Sequence, residues 1–462
     1  MAEAKKRDLT KGPVWKALTA MSAPMSLGIF SVIAVGLADA YFLGQVSGAA
    51  LAAVGFIYPV ITAITSLSIG LSAGANATLS QSIGAGASDE DARRLGLHAI
   101  GLAAGLATVL AVLVWIASPY LFGALGAQGD VATEVGAYMP LWAASFPFLV
   151  TMMIVNAVFR AHGDGATSAA IMILAAFFGI ALNPVFIFGW GPFPEMSTAG
   201  AAMSTFVGRV IAVVVALWIA WRRGLLGVCG EMLDGFVANM RKILKVGVPA
   251  SLSNAINPAG MALVTAAVAT VGDAAVAGFG AAGRIQSILL VPLMALSSGI
   301  GPVVGQNWGA EKTGRARTAT ALSFGFCVAY GALIGVVLLI FATPIAGLLA
   351  AGEVDLQFAA QYLRIVGLSM FGYGMVVVAN AAMNARDKAL WSMTLSLGRI
   401  FVIYLPLAWV GVLTFGYWGI VIAALLANVL GGVGALYATR KTDLLAVGAG
   451  GVVDALPLGS KT

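Results

Sequence analysis

The sequence predicts an all-α integral membrane protein with twelve transmembrane helices, arranged as two six-helix halves. Three observations support this prediction: the composition, the number of long apolar runs and an internal repeat. Of the 462 residues, 60% are hydrophobic and only 10% are charged, whereas a soluble domain carries about 25% charged residues. The mean hydropathy is +0.97. This composition indicates a polytopic membrane protein rather than several soluble domains.

Apolar runs long enough to cross a membrane occur twelve times between charged or Gly/Pro-rich breaks. About 20 apolar residues are needed to span the hydrocarbon core as a helix. The predicted spans are 17–43, 51–85, 95–118, 136–161, 166–190, 199–221, 246–271, 276–309, 316–343, 356–385, 389–412 and 417–439. Several runs exceed the required length, so we expect some helices to tilt or to extend beyond the bilayer.

The distribution of Lys and Arg predicts the orientation of these spans. With the N-terminus inside, 21 of the 25 basic residues fall in inner loops and termini, and the other four lie within spans. The outer loops contain acidic residues but no Lys or Arg. Because cytoplasmic loops carry an excess of Lys and Arg, both termini are predicted to be cytoplasmic and the location to be the cell inner membrane. The net charge of +6 therefore reports topology, and no nucleic-acid partner is expected.

The two halves of the chain repeat each other at an offset of 224 to 225 residues. Matched residues include Gly74 with Gly299, Gln81 with Gln306, Gly84 with Gly309, Tyr138 with Tyr362, and Asn156 with Asn380. Each half holds six spans, an even number, so both halves enter the membrane with the same polarity. We therefore expect a pseudo-two-fold axis along the membrane normal, and transporters of this design place substrate sites between the halves.

The repeat and the charge pattern predict how the chain divides. The predicted units are an N-terminal six-helix lobe (1–221), a cytoplasmic amphipathic linker (222–245), a C-terminal six-helix lobe (246–442) and a flexible C-terminal tail (443–462). In the linker, Met232, Phe236 and Met240 recur at helical spacing beside basic residues, which is typical of a helix on a membrane surface. The tail is rich in Gly, which favours a mobile chain.

Asp39 is the only acidic residue within a predicted span. A carboxylate in a membrane helix is costly and by default marks an ion or substrate pathway. Burial favours the protonated form of a carboxyl group, so Asp39 can take up and release a proton. The alternative is a structural ion pair with Arg209, in span 6 of the same half. The repeat position of Asp39 holds Val264, so ionic coupling is predicted in the first half alone.

Arg284 and Arg399 lie deep in second-half spans, where no acidic residue is available to pair with them. Backbone carbonyls, Asn257 or Asn380 are the expected hydrogen-bond acceptors. We take these four residues as candidates for the lining of a second-lobe cavity. Binding of an anionic group and a purely structural role are both open interpretations of the two arginines.

Hinges are predicted where residues weaken a helix. Pro24 and Pro258 each remove a backbone hydrogen bond, and Gly28 and Gly36 add flexibility to span 1. The two cysteines of the chain are far apart and form no metal-binding or redox pattern. No metal site and no resident cofactor are therefore expected.

Several segments resemble the multidrug and toxic compound extrusion (MATE) family. They are residues 37–44 with 51–55, similar to its first-helix signature, 159–164 at the end of helix 4, 301–309 at the end of helix 8, and Arg399 with Pro406 in helix 11. The match covers nearly the whole chain and is closest to the bacterial and archaeal branch that keeps an acid in helix 1. The resemblance implies an antiporter that expels amphipathic, often cationic compounds against H⁺ or Na⁺. It also implies that Asp39 is the ion-coupling residue.

The chain departs from the family pattern in helix 5, which often reads Asn-x-x-x-Asp-Pro. Here Gly179 and Asn183 stand at the Asn and Asp positions. Na⁺ needs several oxygen ligands, and a second carboxylate is missing, so H⁺ is the favoured coupling ion and Na⁺ the alternative. The predicted cavity and coupling network of the first lobe comprises Tyr41, Asn156, Asn183, Thr205 and Arg209 around Asp39.

The predicted function is a secondary active antiporter that exports amphipathic, mostly cationic drugs or toxic compounds, with protonation of Asp39 driving release. The alternative is a flippase for lipid-linked precursors or polysaccharide, from the related superfamily, which would use the intramembrane arginines in a cationic cavity. An enzyme is not expected, because the spans carry no Cys/His cluster and no paired carboxylates. The expected partners are small-molecule substrates, chiefly organic cations, and membrane lipid. The chain is expected to be a monomer.

Overall fold

The computed structural model describes residues 7–227, 230–349 and 352–445, and all secondary structure in these ranges is helical. The first lobe contains α1 (Val14–Val46), α2 (Gly48–Gly84), α3 (Asp89–Ala124), α4 (Gly129–Ala161), α5 (Gly165–Ile187) and α6 (Ser197–Arg222). The second lobe contains α7 (Phe236–Ala269), α8 (Asp273–Leu289), α9 (Val291–Gly309), α10 (Thr313–Ala346), α11 (Glu353–Gly367), α12 (Met370–Ala385), α13 (Ala389–Leu397), a π-helical turn (Gly398–Tyr404), α14 (Leu405–Phe415) and α15 (Tyr417–Lys441).

The twelve predicted spans are confirmed. Within the described ranges, ten helices are long and apolar enough to cross a membrane, counting α13, the π-helical turn and α14 as one. Two bent pairs supply the others: α8 with α9, bent by 45°, and α11 with α12, bent by 62°. The first bend has a local cause, because Pro292 at the start of α9 cannot continue the hydrogen-bond ladder of α8. The second bend, at residues 368–369, was not predicted.

The predicted pseudo-two-fold is visible in two hydrogen bonds between the lobes. The Gln81 side chain, at the end of α2, donates to the carbonyl of Ala385, at a distance of 2.6 Å. The Gln306 side chain, at the end of α9, donates to the carbonyl of Ala161, at 2.7 Å. The two glutamines are related by the repeat, and so are the two alanines. Each lobe therefore makes the same contact with the other, as a two-fold axis requires.

The lobes are in contact at the end of the bundle where the chain begins, which we call the sealed face. There α2 packs against α7 and α9, and α1 packs against α9. Residues 7–12 close this face, with Leu9 fully buried. The Leu9 N–H donates to Gln306 Oε1 at 2.9 Å, and its carbonyl accepts from Asn307 Nδ2 at 3.1 Å. On the first-lobe side, the Arg7 N–H donates to the carbonyl of His162 at 3.3 Å, so the N-terminal segment ties both lobes together at the sealed face.

The linker was predicted to be an amphipathic helix on the membrane surface, but it does not form a helix of its own. Its helical part is the first turns of α7, which begins at Phe236. The linker is held to the first lobe by His98, whose ring lies 2.6 Å from the Met232 carbonyl oxygen and packs edge-on against Phe236. The predicted flexible tail, apart from residues 443–445, lies outside the described residues, as does Cys229.

Candidate functional site

A cavity of about 210 Å³ lies inside the first lobe, between α1, α2, α4, α5 and α6. It occupies the halves of α1 and α2 that are remote from the sealed face. Its walls are largely apolar and aromatic, with Tyr58, Tyr138 and Trp142 among them. Asp39 and Arg209 are the charged residues among those that line it. We call this space the first-lobe cavity.

Asp39 stands in the wall of the first-lobe cavity and is half-buried. Its Oδ1 accepts a hydrogen bond from Asn183 Nδ2, on α5, at 2.7 Å. Asn183 is fully buried and precedes Pro184, which lies within the helix. The amide therefore holds one carboxylate oxygen from the protein side, while the cavity gives a ligand or a proton access to the carboxyl group.

Arg209 faces the same cavity but does not form the structural ion pair considered from the sequence. Its guanidinium, on α6, donates to Ser145 Oγ, on α4, at 2.5 Å. In the described part of the chain, no Arg209 nitrogen lies within the 4.0 Å of a carboxylate oxygen that defines an ion pair. The cavity therefore presents one negative and one positive group that do not neutralise each other by direct contact.

The other polar candidates of the first lobe supply oxygens without hydrogen-bond partners. Thr205 lines the cavity, and Asn156 is buried in α4. Thr205 Oγ1, Asn156 Oδ1 and Asn183 Oδ1 have no hydrogen-bond partner. Buried polar atoms are usually paired, so these three unpaired oxygens mark places where water or an ion can bind.

Tyr41 does not belong to the first-lobe cavity, contrary to the prediction. Its side chain is 66% exposed and its ring contacts the ring of Phe42. The reason is helical geometry: two residues beyond Asp39 correspond to a rotation of about 200° around α1. Tyr41 therefore points away from the side of α1 that carries Asp39.

The aromatic residues of the cavity wall were missed at the sequence level. Tyr58, Tyr138 and Trp142 lie in apolar spans, where a residue facing a cavity has the same composition as one facing lipid. The one available signal was the repeat, which matches Tyr138 with Tyr362.

The second-lobe candidates come together only in part. Arg399, in the π-helical turn, is 7% exposed and donates to Asn257 Oδ1, on α7, at 2.8 Å. The expected acceptor is thereby confirmed. Asn380 donates instead to Ser396 Oγ at 2.9 Å. Arg284 is exposed on α8 and does not join this cluster, because its side of the helix is not covered by a neighbouring helix.

The predicted hinge residues of α1 lie between the sealed face and the first-lobe cavity, although α1 itself is unbroken from Val14 to Val46. Pro24 lies within α1 near the sealed face, and Gly36 lines the first-lobe cavity. Between them, Gly28 packs against Ala169 of α5. Pro258 follows Asn257 inside α7. A bend of α1 would therefore act on both the seal and the cavity.

The chain is similar to known membrane transporters over almost its full length. The MatE family model matches residues 24–185 and 249–410, once in each lobe. The FAD transporter of Shewanella oneidensis is 33% identical, over 94% of this chain and 96% of that protein. The probable multidrug resistance protein NorM of Thermotoga maritima is 23% identical over 82% of each chain. The crystal structure of the Vibrio cholerae MATE transporter VcmN in the bent form superposes with a TM-score of 0.86, at 27% identity, covering 93% of this chain and 96% of that one. This multi-pass membrane protein belongs to the MatE family, the multidrug and toxic compound extrusion transporters.

Proposed function

We propose that this transporter exports amphipathic organic compounds in exchange for inward H⁺, with Asp39 as the coupling residue. The observation that carries the proposal is a half-buried carboxyl group in a cavity wall, held by the Asn183 amide and free of an ion pair. Such a group can bind either a proton or a cationic substrate, but not both. This competition is the simplest physical basis for antiport.

The proposed cycle follows from the shape of this conformation. With the sealed face in the cytoplasm of a cell whose inner membrane holds the protein, as the basic loops favour, the first-lobe cavity is open to the outside. A proton arriving there neutralises Asp39 and removes its attraction for a cation. The substrate then leaves, and the lobes rock to open the sealed face. In the cytoplasm the proton is lost and the next substrate binds.

The cavity walls suit planar, amphipathic ligands. Aromatic faces attract organic cations and stack on planar rings, and Tyr58, which is 64% exposed, offers such a face in the wall that also carries Asp39. Apolar side chains supply the rest of the surface without demanding particular partners. This wall is consistent with a broad choice of substrate.

We expect H⁺ rather than Na⁺ to drive transport, although the unpartnered oxygens of Asn156, Asn183 and Thr205 could serve as Na⁺ ligands. Proteoliposomes containing the purified protein test this directly with ethidium as the substrate. An acidic lumen in Na⁺-free buffer should drive ethidium into the vesicles, and a protonophore should abolish this uptake. An outward Na⁺ gradient at equal pH should drive none. Uptake driven by Na⁺ alone would contradict H⁺ coupling.

A second candidate substrate is flavin adenine dinucleotide or a similar dinucleotide. The Shewanella relative is named an FAD transporter, and Arg209 places a guanidinium in the first-lobe cavity beside aromatic rings. Guanidinium groups bind phosphate with paired hydrogen bonds, and aromatic rings stack on flavins. This arrangement would hold the diphosphate near Arg209 and the planar rings against the wall.

Arg209→Gln separates the two candidates. For FAD, loss of a charged hydrogen-bond donor should raise KM by roughly tenfold or more, whereas KM for ethidium should stay the same or fall. Both values come from uptake assays in the same proteoliposomes. Arg364→Gln is the control, because that arginine is in the second lobe, does not line the first-lobe cavity and bonds Thr343. An equal change for both substrates would assign Arg209 a structural role and remove the argument for a dinucleotide.

The flippase alternative is not favoured by the placement of the arginines. Arg209 faces the first-lobe cavity, Arg399 is buried in the second lobe, and Arg284 is exposed on α8. A cationic cavity for a lipid-linked diphosphate would need these side chains to converge. They do not converge in this conformation.

A further inference from the structure

We propose that residues 7–12 form a releasable latch, which keeps the sealed face closed by anchoring the start of the first lobe in the second lobe. The latch must detach from the second lobe before the sealed face can open. Its strength therefore sets the balance between the closed and open forms of this face. The proposal concerns the two lobes alone and holds for any substrate or coupling ion.

The apolar anchor of the latch is Leu9, which is fully buried. The latch leads directly into α1 of the first lobe, yet Leu9 belongs to a hydrophobic cluster made largely of second-lobe residues, among them Ile300, Val303 and Val304 of α9. Withdrawal of a buried leucine side chain into water is unfavourable. Leu9 therefore opposes any movement that carries the latch away from α9.

Arg315, near the start of α10, grips the backbone of the latch. Its guanidinium donates to the carbonyl of Gly12 at 2.8 Å and to the carbonyls of Leu9 and Lys11 at 3.3 Å each. A further hydrogen bond, from Arg315 Nε to Asn307 Oδ1 at 2.9 Å, fixes the side chain in place. In the described ranges Arg315 forms no ion pair with a carboxylate. Its charge therefore acts on the latch carbonyls, and hydrogen bonds from a charged donor are the strong ones.

The latch has a local structure of its own that presents these carbonyls. Asp8 Oδ1 accepts from the N–H of Thr10 at 2.9 Å and from its hydroxyl at 2.7 Å, which makes a turn. Gly12 has a φ of +69°, a conformation that glycine adopts readily. Lys312 Nζ donates to the carbonyl of Thr10 at 3.2 Å and to its hydroxyl at 3.0 Å. A segment that is already folded loses less entropy when it docks, so the latch can detach and return as a unit.

The packing of α1 against α5 decides which way the latch is pulled. Although α1 also contacts α9, its backbone packs directly on that of α5 at two glycines. A Cβ on Gly165 would lie 2.7 Å from the carbonyl oxygen of Met21, and one on Gly28 would lie 3.2 Å from Cα of Ala169. We therefore place α1 with the first lobe. When the lobes separate at the sealed face, α1 moves with α5 and draws the latch out of the second lobe.

The repeat supplies a counterpart of the latch on the other lobe. Residues 230–235 precede α7 as the latch precedes α1, and they bond α3, which is the repeat counterpart of α10. Asp234 pairs with Arg94 at 2.9 Å, and a backbone carbonyl of this segment lies 2.6 Å from the ring of His98. The counterpart is part of the covalent link from α6 to α7. The latch is not part of that link, so it can leave the opposite lobe.

The test measures how fast a cysteine at the sealed face becomes accessible in the purified full-length protein in detergent. Ser80, which is fully buried and contacts Gly305 across the lobes, is replaced by Cys in a background without the two native cysteines. Leu9→Ala should raise the rate of maleimide labelling by about tenfold or more, because opening no longer withdraws a large apolar side chain. Lys11→Ala is the control within the latch, because that side chain is 79% exposed. It should label at the parental rate.

Arg315→Gln keeps the apolar anchor and removes the charged grip, so it tests the latch even if Leu9→Ala does not fold. It should raise the labelling rate several-fold. Arg317→Gln is its matched control, because Arg317 donates to the carbonyl of Asp443 within the second lobe, and it should label at the parental rate. Each variant is labelled well below its own thermal unfolding midpoint, so that labelling reports separation of the lobes.

Parental labelling in folded Leu9→Ala or in folded Arg315→Gln would overturn the proposal, because the segment would then travel with the second lobe. Labelling of Lys11→Ala or Arg317→Gln that is accelerated as much as that of its partner variant would overturn it as well.

Discussion

Replacing Asp39 with Asn is expected to abolish substrate export while expression and membrane insertion stay normal. Asn has nearly the same size and can still accept a hydrogen bond from Asn183, so the packing of α1 against α5 is retained. It cannot take up or release a proton, and it carries no charge for a cation to bind. Efflux should fall to the level of cells that lack the transporter.

The measurement is ethidium efflux and drug resistance in a host without its own exporters, with protein quantified in the membrane. Glu195→Gln is the matched control, because it removes an exposed carboxylate outside the helices. It should export as the wild type does. An Asp39→Asn variant that still confers resistance would refute the assignment of Asp39.

Gly70→Leu is expected to prevent closure of the sealed face and so to stop the transport cycle. Gly70, on α2, meets α7 where the lobes touch, and a Cβ there would lie less than 3.0 Å from the backbone of Ser251. Backbone atoms cannot move aside as a flexible side chain does. The lobes of the variant should therefore stay apart at this face.

Gly101→Leu controls for the change of residue. Gly101 lies inside α3 with nothing within 4 Å of an added Cβ. Replacing a glycine in a helix interior should stabilise the helix by about 1 kcal/mol in either variant. Any loss of transport that is specific to Gly70→Leu must therefore come from the clash.

The reporter for this closure is a cysteine at Ser80, a fully buried residue that contacts Gly305 across the lobes. In a background without the two native cysteines, an impermeant maleimide applied from the sealed face should label it in Gly70→Leu but only weakly in the Gly101→Leu background. Normal transport with a protected cysteine in Gly70→Leu would contradict the prediction.

The spans and the repeat could be predicted because both are visible in the sequence without knowledge of which residues are in contact. The length of each apolar run identifies a membrane-spanning helix, and matched residues such as Gln81 and Gln306 indicate the pseudo-two-fold axis. The break between α11 and α12 could not be predicted in this way, because its one signal is Gly367 and glycines also occur inside unbroken spans such as α1. The π-helical turn around Arg399 likewise depends on packing against α7 and α15.

The candidate site was predicted in part. Asp39 and Asn183 were both named, and the structure joins them by a hydrogen bond. Tyr41 and Arg284 were also named, but their side chains turn away from the cavity and the cluster. In a soluble helix an apolar stripe would show which side is inward, but in a membrane span both lipid and core are apolar. The rotation of each helix about its own axis could therefore be determined only from the structure.

Proton release on substrate binding tests the role of Asp39 most directly. Purified protein in weakly buffered detergent, near neutral pH and without Na⁺, is mixed with substrate while the pH is recorded. If a proton and a substrate compete for Asp39, the wild type should release up to about one proton for each molecule bound, and Asp39→Asn should release none while binding is measured separately. Binding to the wild type without proton release, or equal release from Asp39→Asn, would contradict the account.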